Sequence, residues 1–353
     1  MVKASLIWLN YNSLGFMDIA LKSIESVLNL DFDDYEVIVV DNASSDGSFE
    51  KIKEFVEEKR PSSVRVKFVR SNANRGYAGG MNLGWEAKDP KAKYVAFLNN
   101  DLIVEPNSLR ELVDYMESDE KLAAASGLIY SSYGKIYSAG GYGAENWVFG
   151  GICRGISEDE CLGVDKRHYV TYADGAYMVV KADVIKETCP EGKPFIDETF
   201  LYLDDGLLGL MLWNKGYKVA YAPVKSGFHY SSLTTSRHGI QLYYAYRGST
   251  VMMNITKTRL NPLKHLYITR RLIGYLLLSL VKSQKQKDYV TIINVTVNGL
   301  RFTRFIRNKV GVIELKKAPY VPMSIIDVIN DLIFSKKIGK ITFEMLKQTK
   351  TDR

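Results

Sequence analysis

The first 130 residues alternate short apolar runs with segments that repeat apolar residues at helical spacing. The apolar runs lie at residues 3–9, 35–40, 64–69, 94–98 and 122–130, and the helical patterns at 16–28, 45–58, 77–87 and 106–116. Runs that are apolar throughout are typical of parallel strands covered on both faces. The alternation predicts an α/β fold: a mostly parallel, twisted sheet with helices on both faces and right-handed crossovers. Pro106 suits the first turn of the last of these helices.

The pattern changes twice beyond residue 130. Residues 131–170 are rich in glycine and irregular, and they are followed by strand patterns at 176–180 and 217–222 and a helical pattern at 206–213. After residue 242 the pattern is helical and basic. A chain of 353 residues can bury a large core. We therefore predict one domain at residues 1–250, divided near residue 130, and a mainly helical C-terminal region at 251–353.

Polar side chains follow two of the apolar runs. Asp41 and Asn42 come after the run at 35–40, and Asn100 and Asp101 follow the run at 94–98. The carboxyl ends of neighbouring parallel strands face one crevice, where α/β sheets bind ligands. A carboxylate such as Asp41 could accept hydrogen bonds from a nucleotide base or a ribose, although Asp and Asn also favour turns. An amide beside a carboxylate suits Mg²⁺ or Mn²⁺, so we expect Asp101 to hold a metal against a diphosphate.

Three further groups of residues could carry chemistry. Residues 74–80 form a glycine-rich turn, where a backbone can approach a nucleotide closely. Asp204 and Asp205 place two carboxylates side by side, which can raise one pKa and provide a base for a hydroxyl. The alternative for this pair is a favourable interaction with the helix dipole. His229 could complete a metal shell, although a single histidine is more often structural.

Taken together, these motifs resemble an inverting glycosyltransferase of family 2, with the GT-A fold, and are closest to the rhamnosyltransferase-like branch. The motifs lie at residues 7–12, 37–48, 74–82, 97–101, 173–178 and 228–232, and the resemblance spans roughly residues 3–250. It implies a nucleotide-binding half at 1–130 and an acceptor-binding half at 131–250.

The resemblance also implies a role for each matching residue. Asp41 is expected at the nucleotide base and Asn100 at the ribose. The remaining nucleotide-sugar residues are expected to be Asn10, Asn42, Asn74, Gly76 and Asn82. Asp174 and Gly175 are expected on the acceptor side, and Asp101 and His229 at the divalent metal, Mg²⁺ or Mn²⁺. Asp205 matches the family's base, with Asp204 beside it as the other catalytic residue.

The implied reaction moves a sugar from a UDP- or dTDP-sugar to a glycan or polyprenyl-linked acceptor, in the synthesis of a cell-surface polysaccharide or glycoprotein. Asp205 would deprotonate the acceptor hydroxyl, which attacks the anomeric carbon with inversion and without a covalent intermediate. The metal would stabilise the charge that develops on the leaving diphosphate. The family's acidic pair is commonly Glu-Asp followed two residues later by Asp, whereas this chain has Asp204, Asp205 and Leu207. The details of acceptor binding are therefore left open.

Three other classes of protein were weighed. A nicotinamide-dependent oxidoreductase needs a glycine fingerprint after the first strand, and residues 9–15 do not provide it. A sugar nucleotidyltransferase normally carries a basic, glycine-rich N-terminal loop, which the sequence lacks. A degenerate transferase acting as a membrane-associated scaffold is disfavoured because Asp41, Asp101, Asp205 and His229 are all retained.

The positive charge is concentrated in one segment. The net charge is +7, and residues 257–309 contain 12 Lys/Arg and one acid. The residues between these basic side chains are mostly large and apolar, which favours an anionic membrane surface over nucleic acid as the binding partner of the segment. The apolar run at 272–281 is far shorter than the roughly 20 residues of a membrane span. We predict peripheral association with the cytoplasmic face of the membrane; helices that cap the domain or form a homodimer are the alternative.

The chain contains three cysteines, Cys153, Cys161 and Cys189. The number is odd and the spacing does not suit a metal site. We therefore predict reduced thiols in a cytoplasmic protein.

Overall fold

A computed structural model of the protein describes residues 2–131, 133–231, 238–281, 286–334 and 339–348. The helices are α1 (Met17–Leu28), α2 (Ser48–Lys59), α3 (Gly76–Ala87), α4 (Ser108–Glu117), α5 (Ala182–Thr188), α6 (Asp204–Asn214), α7 (His238–Ile255), α8 (Lys264–Val281), α9 (Gln286–Val310) and α10 (Ile325–Phe334). The strands are β1 (Ala4–Asn10), β2 (Tyr35–Asp41), β3 (Arg65–Arg70), β4 (Tyr94–Asn99), β5 (Leu102–Val104), β6 (Leu122–Ser131), β7 (Ile136–Ser138), β8 (Gly141–Gly143), β9 (Phe149–Gly151), β10 (His168–Tyr169), β11 (Tyr177–Lys181), β12 (Lys218–His229), β13 (Thr256–Lys257) and β14 (Ile313–Glu314). Ser232 of the last predicted motif, and Lys282 and Lys285 of the basic segment, lie outside the described residues.

A ten-stranded sheet forms the centre of the molecule. Its order is β10-β12-β6-β11-β4-β1-β2-β3, with β5 paired to β12 and β7 paired to β6. Strands β1 to β4 are parallel to their neighbours within this group, and β6 is parallel to β12. Strand β11 runs antiparallel to both β4 and β6. The predicted α/β fold is therefore confirmed, with six strands running in one direction and β5, β7, β10 and β11 running antiparallel to their neighbours.

Helices cover both faces of this sheet. Strand side chains alternate between the faces, so Ile7 and Ile38 join one buried cluster while Leu6 and Val37 join another. All seven residues of β2 are buried, which explains why all of them except Glu36 and Asp41 are apolar. Helix α3 approaches β1 closely, since a Cβ atom on Gly84 would lie 2.3 Å from Ile7.

Several local predictions differ from the structure. Helix α4 begins at Ser108, so Pro106 lies in the preceding turn and not in the helix. Strand β5 follows Asp101 directly and was not predicted. Strand β12 continues to His229, because its second half pairs with β5 and β6. The irregular segment at 131–170 contains four short strands, β7 to β10.

The C-terminal helices pack on one another and on the first domain. Helix α7 packs against α9, and α8 packs against α9 and α10, with Ile268 and Val328 in a small core shared with Trp147. Helix α7 runs through residue 250, where the domain boundary is predicted. Among the helices that the structure describes, none combines the length and apolarity needed to cross a membrane.

Cys153 and Cys161 form a disulfide bond, so the prediction that all three cysteines are reduced is wrong for this pair. Sequence spacing could not reveal the bond, because the two residues meet through the fold of an irregular segment. Cys189 is a buried free thiol, and burial raises its pKa to about 11.

Candidate active site

The ends of β1, β2 and β4 bring together the predicted nucleotide-binding residues. Parallel pairing places Asn10 opposite Asp41. The Asn10 amide donates to the Asp41 carboxylate at 3.0 Å and accepts from the Asn100 amide at 3.2 Å. All three side chains are buried. The predicted strand-end residues therefore form one hydrogen-bonded group.

Asp41 is neutralised by a residue that the sequence did not single out. Arg70, at the end of β3, lies 3.1 Å from the Asp41 carboxylate and is paired with it in register. The backbone N–H of Ser44 donates to the same carboxylate oxygen at 3.1 Å. The position of Arg70 at the end of the next strand was the only available signal. Asp41 is thus a buried, paired carboxylate that fixes the strand ends.

The glycine-rich turn is organised by Asn42. Its amide donates to Asn74 at 3.0 Å and to the carbonyl of Gly76 at 2.9 Å, and it accepts from the N–H of Arg75 at 2.9 Å. Gly76 has a φ of +67°, and a Cβ atom there would lie 2.4 Å from the carbonyl oxygen of Phe200. A glycine is needed at this position for both reasons.

Asn82 lies further along α3. Its amide donates to the carbonyl of Phe195 and to the carboxylate of Asp197, and it accepts from the N–H of Phe195. These contacts tie α3 to the segment before α6. The predicted role of Asn82 toward the donor stays a prediction.

Asp101 and His229 are adjacent, as the prediction of a shared metal requires. His229 Nε2 lies 2.8 Å from Asp101 Oδ1, and both residues are buried. Pairing of β5 with β12 brings His229 opposite Leu102 and hence beside Asp101. His229 Nδ1 is buried without a partner in the described part of the chain. A carboxylate beside an imidazole fits Mn²⁺ or Mg²⁺.

The metal would need further ligands from the substrate. Within the described residues, no group of three or more His, Cys, Asp or Glu side chains is placed to surround an ion. Magnesium in phosphate-transfer sites is commonly held by one or two carboxylates together with substrate phosphates. The Asp101–His229 pair fits that arrangement.

Asp204 and Asp205 begin α6 and differ in their surroundings. Asp204 is buried and accepts a hydrogen bond from Thr199 Oγ1. Asp205 is half-buried, and it accepts from the N–H groups of Gly206 at 2.8 Å and Gly175 at 3.2 Å. Burial raises the pKa of Asp204 to about 6. Burial and the nearby Asp174 carboxylate raise the pKa of Asp205 to about 7. Asp205 is therefore the more accessible and the more basic of the two.

The predicted acceptor-side residues adjoin Asp205. Asp174 caps its own turn by accepting from the N–H of Ala176 at 2.9 Å. The carbonyl of Gly175 accepts from the Tyr77 hydroxyl at 2.7 Å. A Cβ atom on Gly175 would lie 3.4 Å from Asp205 Oδ2, so this glycine leaves room beside the carboxylate.

Tyr137 and Arg154, which sequence reasoning missed, adjoin the Asp101–His229 pair. The Tyr137 ring meets the His229 ring edge-on, with centroids 4.3 Å apart. The guanidinium of Arg154 lies 4.2 Å from the centroid of Tyr137. Burial is the main reason that the pKa of Tyr137 is raised, and the carboxylates of Asp174 and Asp205 raise it further. Tyr137 and Arg154 come from the irregular segment, where no periodic pattern marks them.

Comparison with known proteins identifies the N-terminal part of the chain. Residues 5–147 match the family model described as Glycosyl transferase family 2. The N-terminal part of the chain is therefore similar to glycosyl transferase family 2. The match takes in the predicted donor-side residues and Asp101, but ends before Asp174, Asp205 and His229.

Curated relatives agree with this similarity over part of their length. An uncharacterized glycosyltransferase of Nostoc sp. is 30% identical over 119 residues, covering 34% of each chain. The poly-beta-1,6-N-acetyl-D-glucosamine synthase of Staphylococcus epidermidis is 30% identical over 105 residues, covering 30% of this chain and 24% of the synthase. The matched segment thus spans about a third or less of these relatives.

Solved structures show the same fold at low identity. A mannosyltransferase of Pyrobaculum calidifontis, in complex with GDP-Man and Mn²⁺, has a TM-score of 0.53 at 14% identity and covers 87% of this chain and 86% of its own. TarS 1-349 of S. aureus, in complex with UDP-GlcNAc, has a TM-score of 0.51 at 14% identity, covering 84% of this chain and 81% of its own. The predicted GT-A fold is confirmed.

Proposed function

We propose that this protein is an inverting glycosyltransferase that uses a nucleotide-diphosphate sugar, either UDP- or dTDP-linked. The arrangement that carries the proposal is a half-buried carboxylate with a pKa near 7, Asp205, set across Tyr137 from the Asp101–His229 pair. A base with a pKa near the working pH is efficient at proton transfer. The similarity of residues 5–147 to family 2 supports the same conclusion.

Donor binding is assigned to the carboxyl edge of the sheet. Asp41 and Asn100 lie with Asn10 in one hydrogen-bonded group, beside the Asn42-organised turn. We assign binding of the nucleotide base to Asp41 and binding of the ribose to Asn100. Asp101 and His229 would hold the metal, which when bound offsets the charge of the leaving diphosphate. The mannosyltransferase solved with GDP-Man and Mn²⁺ gives support from the same fold.

The chemical step is assigned to Asp205. Its carboxylate takes the proton of the acceptor hydroxyl while that oxygen forms a bond to the anomeric carbon. The bond from the anomeric carbon to the diphosphate oxygen breaks at the same time, and the nucleoside diphosphate leaves with the electron pair. Because attack and departure occur on opposite faces, the product has the inverted configuration. The N–H groups of Gly175 and Gly206 orient the carboxylate.

We assign the acceptor as a glycan or a lipid-linked acceptor, because the sequence motifs resemble those of the rhamnosyltransferase-like branch most closely. Exposed apolar side chains on α8 and α10 support a position at a membrane surface; they include Leu266, Ile273, Leu277, Leu280, Ile325, Ile326, Ile329 and Ile333. Monomeric soluble proteins rarely expose large contiguous apolar patches. We propose peripheral binding to the cytoplasmic face, and a homodimer through these helices is the alternative occupant of the surface.

A nucleotide-sugar panel tests the proposed activity. UDP-, dTDP- and GDP-sugars are each combined with Mn²⁺, Mg²⁺ or EDTA, and thermal stabilisation and sugar release are measured. We expect one donor class to stabilise the protein and to be hydrolysed slowly, in a metal-dependent way. The Asp205→Asn variant is the matched control, since it should bind the same donor without turnover.

Two other outcomes identify the alternatives. Release of pyrophosphate from a nucleoside triphosphate and a sugar phosphate would identify a sugar nucleotidyltransferase. Donor binding without turnover in the wild-type protein, across a panel of acceptors, would identify a scaffold. If no nucleotide sugar stabilises the protein, the donor assignment is wrong.

A further inference from the structure

The six residues before the acidic pair, 198–203, form a strained loop. Phe200 and Tyr202 have φ values of 65° and 64°, in the left-handed region that non-glycine residues rarely adopt. Such conformations are unfavourable and persist only where the surroundings impose them. The N–H groups of Tyr77 and Ala78 hold one side of this 198–203 loop, by donating to the Phe200 carbonyl at 2.8 and 3.3 Å.

Arg247 of α7 holds the other side of the loop. Its Nη2 donates to the carbonyl of Glu198 at 3.0 Å and also to the carbonyl of Thr199. These contacts are to backbone atoms, so they fix the path of the chain and not only a side chain. The α7 backbone is equally close, since a Cβ atom on Gly248 would lie 2.6 Å from the Tyr202 carbonyl oxygen.

Aromatic rings fix the Arg247 guanidinium in turn. It lies 4.4 Å from the ring centroid of Phe302 on α9 and 4.7 Å from that of Tyr244. Tyr244 also stacks on Phe200, at 4.6 Å between centroids. Arginine over aromatic faces is a favourable arrangement, and it becomes stronger when it is desolvated. Arg247 is therefore built into the contact between the C-terminal helices and the loop.

The 198–203 loop connects Arg247 with Asp204 and Asp205 through Thr199. Thr199, whose carbonyl accepts from Arg247, donates its hydroxyl to the Asp204 carboxylate. Helix α6 then starts at Asp204, and the half-buried Asp205 is the next residue. The charge of Arg247 also lowers the pKa of Asp204, against the larger effect of burial.

We propose that Arg247 is a positioning residue for the Asp204–Asp205 pair, through which α7 and α9 set the place of the proposed base. This inference rests on the proposed function of Asp205 and adds a role for the C-terminal helices. Displacement of a reacting group by about 1 Å can cost on the order of 10² in rate. The contacts of Arg247 are to the loop backbone and to aromatic rings of α7 and α9, so we expect its loss to affect turnover more than donor binding.

The test compares Arg247→Gln and Arg247→Lys with a matched control, Arg271→Gln. Arg271 of α8 also lies over a tyrosine, 5.8 Å from the Tyr246 centroid, and donates to Ser249 at 3.2 Å. We expect Arg247→Gln to lower kcat about 10- to 100-fold and to change the donor KM by less than about threefold. The kcat is expressed per donor-binding site, and calorimetry measures the number of those sites. Arg247→Lys should recover part of kcat, and Arg271→Gln should resemble the wild type.

Hydrogen exchange gives a readout that does not depend on activity. The peptide spanning 198–207 should exchange at least several times faster in Arg247→Gln than in Arg271→Gln, while the peptide at 35–48 stays unchanged. Both results together support the proposal. An unchanged kcat overturns it, and so does a loss of kcat without faster exchange in the loop. If Arg247→Gln does not fold, Arg247→Lys and Phe302→Leu are compared in the same way. A wild-type protein without transferase activity would overturn the proposed function, and the exchange data alone would then decide whether Arg247 holds the loop.

Discussion

The carboxyl edge of β1, β2 and β4 and the 198–203 loop both present acidic side chains to the proposed cleft, but they hold them by different means. At the sheet edge, Asp41 is fixed by side chains from neighbouring strands, Asn10 and Arg70. Before α6, Asp204 and Asp205 are fixed through contacts with backbone atoms that involve α3, α7 and the turn before β11.

The difference matters for the chemistry each region can perform. Asp41 is engaged in a salt bridge with the Arg70 guanidinium at 3.1 Å. Within the described residues no cation forms a salt bridge with Asp205, and burial together with the Asp174 carboxylate raises its pKa to about 7. The sheet edge is thus suited to binding, and the α6 start is suited to proton transfer. The predictions below test that division.

The largest effect is expected from Asp205→Asn. A general base contributes a factor of about 10²–10⁴, so kcat should fall by at least that amount while donor affinity is kept. Steady-state kinetics and calorimetry with the nucleoside diphosphate measure the two quantities. Asp204→Asn should be less severe because Asp204 is buried behind the loop. If Asp205→Asn is active and Asp204→Asn is inactive, the catalytic base is Asp204 and not Asp205.

Asp101→Ala should remove metal-dependent binding. A metal stabilises anionic charge by several kcal/mol, so the affinity for UDP with Mn²⁺ should fall on the order of 10²-fold, toward the value in EDTA. Calorimetry with and without Mn²⁺ measures the change, and circular dichroism checks the fold. Glu54→Ala, a change at an exposed acidic residue of α2, is the control. An affinity equal to that of the wild type would refute the metal assignment.

The pH dependence should follow Asp205. With a pKa near 7, its basic form is lost on acidification, and kcat/KM should fall about tenfold per pH unit below that value. The sign for stability is opposite: a carboxyl pKa raised from 3.8 makes the folded state bind its proton more tightly than the unfolded state does. The free energy of unfolding therefore loses this contribution as the pH rises from about 4 to about 7.

Asp205→Asn removes that dependence and should melt at a higher temperature than the wild type at pH 8. Differential scanning calorimetry across pH 5–8 tests this expectation. A melting difference that does not change with pH would argue against the raised pKa.

The smallest effect is expected at the exposed apolar surface of α8. Leu277 is 57% exposed, and Leu277→Ser should weaken liposome binding by roughly tenfold if the residue enters the bilayer interface. Leu162→Ser, at 54% exposure in the acceptor half, is the matched control. Co-sedimentation with neutral and anionic vesicles over a salt series separates apolar from charge contributions. Absence of any pelleting would favour the capping or dimer alternative.

The donor-side residues could be predicted because they lie directly after strands that the sequence pattern reveals. An apolar run ending in Asp41, and another ending in Asn100 and Asp101, are sufficient to place all three at one edge. Arg70 was missed even there, because its importance depends on the pairing of β3 with β2. On the acceptor side, Asp174 and Gly175 were predicted only through resemblance, whereas the adjacent carboxylates of Asp204 and Asp205 indicated a base directly; the roles of all four stay predictions.

The sequence by itself determined the α/β class, the strand-end residues and the change to basic helices after residue 242. Each depends on a pattern that repeats within about ten residues, and local sterics and burial dictate such patterns. Only the tertiary structure decided the Cys153–Cys161 bond, the Tyr137–Arg154 stack and the contact of Arg247 with the 198–203 loop. These contacts join residues from irregular segments or from distant helices. Their free energy comes from packing in the folded chain, and no local pattern encodes it.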